Sequence, residues 1–282
     1  MPQLVVFNDD RLGVVAGDQV IELPGTGADP RGPLHALIES GAGVPTRPDG
    51  PRHPLAEVTL GAPLPRPGKI LGAPVNYVDH QHEMHQPTTV AELGVFLKAP
   101  TSVLAPGGTI QLPYTDKRTD QEAELGVVIG RVARHVSVER AAEHVFGYTC
   151  ALDITVRSGE DRSTRKSFDT FTPLGPGVTT ADEVGDAGRL RLQGWVNNEP
   201  RQDASTGDMI FGVAELIAYA SSVMTLLPGD VLVTGTPAGV GPLADGDRVV
   251  VRIERVGQLE VGVSAASAVP YGARPGHREV PA

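Results

Sequence analysis

The chain has 282 residues, with 34 acidic against 24 basic side chains, a formal net charge of -10 and no basic block. This balance argues against nucleic acid and anionic membranes as partners, and any attraction for an anionic substrate must be local. A single cysteine, Cys150, rules out an intramolecular disulfide, while 34 glycines and 25 prolines point to many turns and a β-rich chain.

The first residues lack the basic start and long apolar region of a signal peptide, and no apolar stretch approaches membrane-spanning length, so a cytoplasmic protein is expected. Leu4 to Val6 and Arg11 to Leu23 have strand character broken by polar turns, and the spacing predicts an amphipathic helix from about Leu34 to Glu39. Residues 1–60 therefore read as a small N-terminal α/β domain, and the proline- and glycine-rich stretch from Gly41 to Gly68 as its linker.

A larger domain is expected over residues 69–265. Strands are predicted at Ile70 to Val75, Val95 to Lys98, Thr109 to Leu112, Glu122 to Ile129 and Val145 to Ile154. Helices are predicted from Val138 to His144, with Ser137 as N-cap, and from Val213 to Leu226, where Pro228-Gly229-Asp230 stops the chain. Arg189 to Gln202 and Arg248 to Val263 alternate about turns at Asn197-Asn198 and Val256-Gly257 and read as hairpins. Residues 269–282 hold three prolines and no core pattern, the composition of a loosely ordered tail.

Four places could carry chemistry. Glu122 and Glu124, two apart on a strand, share a face, and Asp153 ends the apolar run of a second strand. If the strands are neighbours, the three carboxylates suit a hard divalent ion, magnesium or manganese, with calcium also compatible and zinc disfavoured. The alternative is a solvated strand face. In the segment after Asn76, His80 and Glu83 fall at i and i+3 of a possible helix, where a carboxylate orients an imidazole as a general base. A polar helix surface, or a transition-metal cluster with His82 and His85, are the competing readings. The mixed-charge loop Arg157 to Asp169 offers Arg157 and Lys166 to a carboxylate or oxyanion, unless it is merely solvated. The glycine-rich turn after Thr234 lacks a phosphate-loop lysine; its amides and Thr236 either face a ligand anion or simply close a tight turn.

The order of these pieces resembles the fumarylacetoacetate hydrolase family. The match runs through Asn76-Tyr-x-Asp-His-x-x-Glu83, Phe96-Leu-Lys98, Glu122-x-Glu-Leu125, Gly147-Tyr-Thr149, Lys166-Ser-Phe-Asp169, Pro173-Leu-Gly-Pro176 and Thr234-Gly-Thr-Pro-x-Gly-Val240. The resemblance implies an α+β, β-rich fold with a mixed β-roll main domain, and a homodimer. It implies Glu122, Glu124 and Asp153 as magnesium or manganese ligands, His80 with Glu83 as the base dyad, Lys166 as a catalytic group, and Arg157, Thr236 and Tyr77 around the substrate. The implied reaction is hydrolytic C–C cleavage of a small 2,4-dioxo acid through an enolate. Oxaloacetate-type decarboxylation, isomerisation or hydration of an unsaturated 2-oxo acid, and non-catalytic 2-oxo acid binding are the alternatives. Two departures stand out: Pro74 before the Asn76-Tyr77 pair, and Glu160 where the family often has glutamine. Glu160 either enters the pocket and disfavours a second substrate carboxylate, or turns outward to pair with Arg162 or Arg165.

Overall fold

The computed structural model describes residues 3–8, 10–25, 29–45 and 48–275. Apolar runs rich in β-branched residues dominate the chain, and strands dominate the structure, which has three sheets and few helices, as a β-rich α+β fold requires. The largest sheet has eleven strands. At its centre Ala123–Ile129 pairs antiparallel with Val145–Leu152 on one side and Val231–Val233 on the other, and Val231–Val233 runs parallel to Ile70–Gly72, so the sheet is mixed.

Ala123–Ile129 is buried along its whole length because both of its faces are covered. Ala123, Leu125, Val127 and Ile129 enter the main core with Leu192, Val251 and Leu259 of a five-stranded sheet, whereas Val128 enters a second core with Leu4, Val6, Leu34 and Val231. A strand covered on both faces reads as a continuous apolar run rather than an alternating one. The two predicted hairpins supply four strands of that sheet, Arg191–Val196 with Glu199–Ser205 and Arg248–Ile253 with Gly257–Ser264, and Thr109–Gln111 is the fifth.

The N-terminal strands Gln3–Phe7, Arg11–Ala16 and Gln19–Glu22 extend the large sheet, because Gln3–Phe7 pairs with Thr172–Thr180 through Leu4 and Val178. Gln3 fastens the same strand to the five-stranded sheet by donating to the Val256 carbonyl at 2.6 Å. The helix predicted near Leu34 spans Pro33–Ser40 and seals the second core. The Val138–His144 helix is 3-10, and Ser137 makes no side-chain cap bond to it. The stretch from Val269 is tied down as far as Arg274: Val269 pairs with Tyr114, and Tyr271–Ala273 forms a 3-10 turn. Residues 276–282 of the expected loose tail lie outside the described residues.

Two positions yield tests. A Cβ on Gly177 would lie 2.3 Å from the Leu4 carbonyl oxygen and 2.7 Å from Val5, where Gln3–Phe7 joins Thr172–Thr180. Gly177→Ala is expected to cost about 1–3 kcal/mol of stability by overpacking, measured by urea unfolding. Cys150 is fully buried and burial pushes its thiol up to about 12. It should resist thiol reagents in the native state and react only on unfolding. A thiol whose folded pKa lies above its unfolded one stabilises fully at low pH, so the Cys150 contribution, read against Cys150→Ala, should decline from about pH 8.5 toward 12.

Candidate metal centre and active site

Two neighbouring strands leave the large sheet at the same level, and the acids sit where they leave. Ala123 pairs with Leu152 in the large sheet, while Asp120 pairs with Thr155 in a small three-stranded sheet. Glu122 and Asp153 occupy the two junctions, joined by an Asp153 N–H donating to the Glu122 carbonyl at 2.9 Å. The strand expected from Glu122 therefore begins at Ala123, and the one expected to Ile154 ends at Leu152. Glu124 lies two residues on from Glu122 and shares its face. The carboxylates of Glu122, Glu124 and Asp153 are buried, with candidate ligand oxygens within 4.8 Å of one another.

Buried like charges must be held by cations or donors. Lys166 Nζ donates to Glu122 at 2.7 Å, to Asp153 at 2.5 Å and to the Thr155 hydroxyl at 2.7 Å. Lys98 Nζ donates to the other Asp153 oxygen at 2.5 Å, and Arg157 bridges Asp120 at 2.7 Å and Glu122 at 2.8 Å. Burial raises the Glu122 carboxyl, but Lys166 and Arg157 outweigh it and hold the group at about 2. Burial and then Asp153, Glu122 and Glu124 pull Lys166 in opposite directions, and the carboxylates win, so it stays charged.

Glu124 is the exception. It accepts one backbone bond, from Gly235 at 2.7 Å, and burial together with Asp153 and Glu122 pushes its carboxyl well up. Among the described residues Glu124 is therefore the one member of the triad with no cation in direct contact. Each carboxylate has about four acceptor sites, so the lysine bonds leave lone pairs free. An oxygen-only set with one unneutralised member fits a magnesium or manganese ion.

His80 lies on the helix Val78–Met84 and is buried, and its Nδ1 meets Glu83 Oε2 at 2.9 Å. Glu83 Oε1 accepts from the Gly239 amide at 2.9 Å. Asn76 registers this helix on the core: its side chain donates to the Phe211 and Thr234 carbonyls and accepts from the Phe211 amide. Two amides of the glycine-rich turn thus go to the site's own carboxylates, Gly235 to Glu124 and Gly239 to Glu83. Gly235 has φ +92°, and a Cβ there would lie 2.7 Å from Asn76, so only glycine brings that amide to Glu124.

A cavity of about 210 Å³ opens beside the triad, lined among others by His80, Arg157, Lys166 and Thr236. Seven of the expected site residues meet there with one more, Glu83, behind His80. Thr236 donates to the Ala123 carbonyl at 2.9 Å and accepts from Gln202 at 2.7 Å. Two expected residues do not reach the cavity. Tyr77 is fully buried, its backbone bridges to Met209, and among the described residues its hydroxyl has no hydrogen-bond partner. Glu160 neither enters the pocket nor pairs with Arg162 or Arg165; it accepts from the Tyr271 hydroxyl at 2.6 Å and pairs with Arg274. The partners lie more than a hundred residues away, which no local pattern could reveal.

Sequence reasoning missed three groups as site residues. Lys98 stood only within a motif, although Phe96 and Lys98 both point inward from a three-residue strand. Asp120 continues the Glu122, Glu124 alternation and anchors Arg157 and Arg118. Arg162 and Arg165 also line the cavity.

Residues 69–264 match the family model described as fumarylacetoacetate (FAA) hydrolase, C-terminal. A maleylpyruvate hydrolase of Aquipseudomonas alcaligenes is 42% identical over 284 residues, covering 91% of this chain and 97% of that one. A human mitochondrial oxaloacetate tautomerase is 39% identical over 214 residues, 71% of this chain and 68% of that one. Among solved structures, maleylpyruvate hydrolase from a Sphingobium species, in complex with manganese(II) and pyruvate, superposes with a TM-score of 0.82 at 39% identity, covering 94% of this chain and 99% of that one.

The triad is tested by metal-linked stability. Manganese at a hundred times its Kd should raise the unfolding free energy by about 2.7 kcal/mol, read as a Tm shift reversed by chelator. Glu122→Ala, Glu124→Ala and Asp153→Ala should each abolish the shift; a shift that survives all three would place the ion elsewhere.

Proposed function

Because the chain belongs to the fumarylacetoacetate hydrolase family, we propose that it is a divalent-metal-dependent enzyme that hydrolyses the C–C bond of a small acylpyruvate-like 2,4-dioxo acid. The observation that carries this reading is the pairing of a base with a hard-ion site in one cavity: His80, oriented by Glu83, beside Glu122, Glu124 and Asp153. Bound there, the divalent ion would act as a Lewis acid, polarising the 2-oxo acid end and favouring the enolate that departs.

The chain's own groups do the rest. With Glu83 accepting from Nδ1, His80 keeps Nε2 as an acceptor, and this nitrogen takes a proton from water as the water oxygen adds to the distal carbonyl carbon. The bond between that carbon and the central methylene then breaks, its electron pair passing to the pyruvate enolate, which is protonated on carbon. Gly239 holds Glu83, so the imidazole cannot swing away from the cavity. Lys166 keeps Glu122 and Asp153 ionised and in place. Decarboxylation of a 2-oxo diacid would use the same electrophile but no base, and would leave the His80–Glu83 pair without a task.

The working unit in this reading is a cytoplasmic homodimer. Its support is physical: exposed Val132, Val138, Val223 and Leu227 gather where Ala133 pairs with Leu226, an apolar surface of the kind an interface covers. The one cysteine is a free, buried thiol, compatible with a reducing compartment. Among the described residues no helix is long and apolar enough to cross a membrane.

The test is turnover of acylpyruvates, oxaloacetate and unsaturated 2-oxo diacids with product identification, with His80→Ala and Glu83→Gln alongside the wild type. Removing a general base typically costs about two to four powers of ten, so kcat should fall by that order in His80→Ala and less in Glu83→Gln. Manganese affinity should stay nearly unchanged in both. Loss of metal in either variant would move these residues into the ion's ligand set, and turnover of oxaloacetate alone would replace the hydrolase reading.

A further inference from the structure

Two cations that line the cavity pair with none of its acids. Asp120, Glu122, Glu124 and Asp153 face Arg118, Arg157, Lys98 and Lys166, and the pairs among them are close ones. Arg162 and Arg165 line the same cavity, one turn apart on the short helix Arg162–Arg165, and are half-buried where the triad is buried. Among the described residues neither guanidinium forms a hydrogen bond or an ion pair. The nearest acids in sequence are engaged elsewhere: Glu160 by Tyr271 and Arg274, and Asp161 as a cap on the Ser163 amide at 2.8 Å. Burial, then Arg157 and Arg162, lower the Arg165 guanidinium, and the more distant pull of Glu122 and Asp153 only partly offsets them.

Two guanidiniums held side by side against their mutual repulsion, in a chain of net charge -10, define a place for an anion. The inner end of the cavity, with its triad and lysines, suits the 2-oxo acid. We propose that Arg162 and Arg165 bind a second carboxylate, at the acyl end of the substrate, so that the enzyme selects 2,4-dioxo diacids over monoacids. This rests on the acylpyruvate reading above for its choice of substrate. It also reverses what a pocket-facing Glu160 would have meant: with that carboxylate drawn off by Arg274, the loop presents only cations to the ligand. Guanidinium forks match carboxylates bidentately, so the pair reads both the charge and the position of the distal group.

The experiment compares kcat/KM for acetylpyruvate, a monoacid, with that for maleylpyruvate and fumarylpyruvate in the manganese-loaded enzyme and in Arg162→Gln, Arg165→Gln and the double variant. The diacids should lose about ten- to a hundredfold per arginine, chiefly through KM, while acetylpyruvate changes by less than about threefold. Arg165→Lys, which keeps the charge and loses the fork, should retain part of the preference. Equal losses on both classes, or none on either, overturn the assignment. If the wild type cleaves none of these acids, the hydrolase reading fails by itself, and calorimetry decides the arginines separately. In the manganese-loaded protein, 2-oxopimelate should bind about tenfold more tightly than 2-oxoheptanoate, with the difference gone in the double variant; equal affinities in the wild type overturn the proposal.

Discussion

Three carboxylates brought to one buried point are the constraint to which the surrounding structure answers. Like charges in low dielectric resist ionisation, and a protein can keep them ionised only by bringing cations or fixed donors within bonding distance. Here that requirement recruits residues from three separate places in the chain: Lys98 from a sheet-edge strand, Arg157 and Lys166 from the loop after Asp153, and the Gly235 amide from the turn after Thr234. Each is fixed by its own packing. Glu124 is left with one amide and no direct cation, and the electrostatic debt remaining there is what a divalent ion settles.

Strand alternation and register explain how a β-rich fold delivers such a cluster. Residues two apart share a face, so Glu122 and Glu124 point the same way, and the Ala123–Leu152 and Glu124–Ala151 pairs set Asp153 opposite Glu122 on that same side. Both strands pass from the large sheet into the small one at this level, and the Asp153-to-Glu122 backbone bond preserves the register across the junction. The N-terminal segment supports the same sheet, since Leu4, Val6 and Leu34 pack in one core with Val128 and Val231.

Much of this was legible in the sequence, and what was not has identifiable causes. Strands and hairpins with strong period or β-branched content, such as Ala123–Ile129 and Arg248–Ile253, lie where the pattern put them. The Glu-x-Glu pair and the His80–Glu83 spacing work because both are local geometry, fixed by one strand and one helical turn. Long-range pairings were not legible. That Gln3–Phe7 joins the main sheet depends on its distant pairing with Thr172–Thr180, and that Lys98 serves Asp153 depends on strand order. Glu160 shows the limit most clearly: weighed between pocket and surface, it belongs to neither, because its partners come from the last described turn of the chain. Tyr77 was carried by resemblance alone, and it is buried outside the cavity lining.

That last turn has a wider consequence. Tyr271 and Arg274 lie beyond residues 69–264, the part that matches the family model, yet they grip the chain two residues before Arg162. Lys166, at the other end of the same loop, is pinned by Glu122 and Asp153 whatever the terminal segment does. Chemistry and choice of substrate are therefore mechanically separate: mutational drift in the terminal residues can re-aim the arginines while the carboxylate cluster stays as it is. A lineage can try new acids at little risk to the reaction itself, by editing the end of the chain where substitutions are otherwise cheapest.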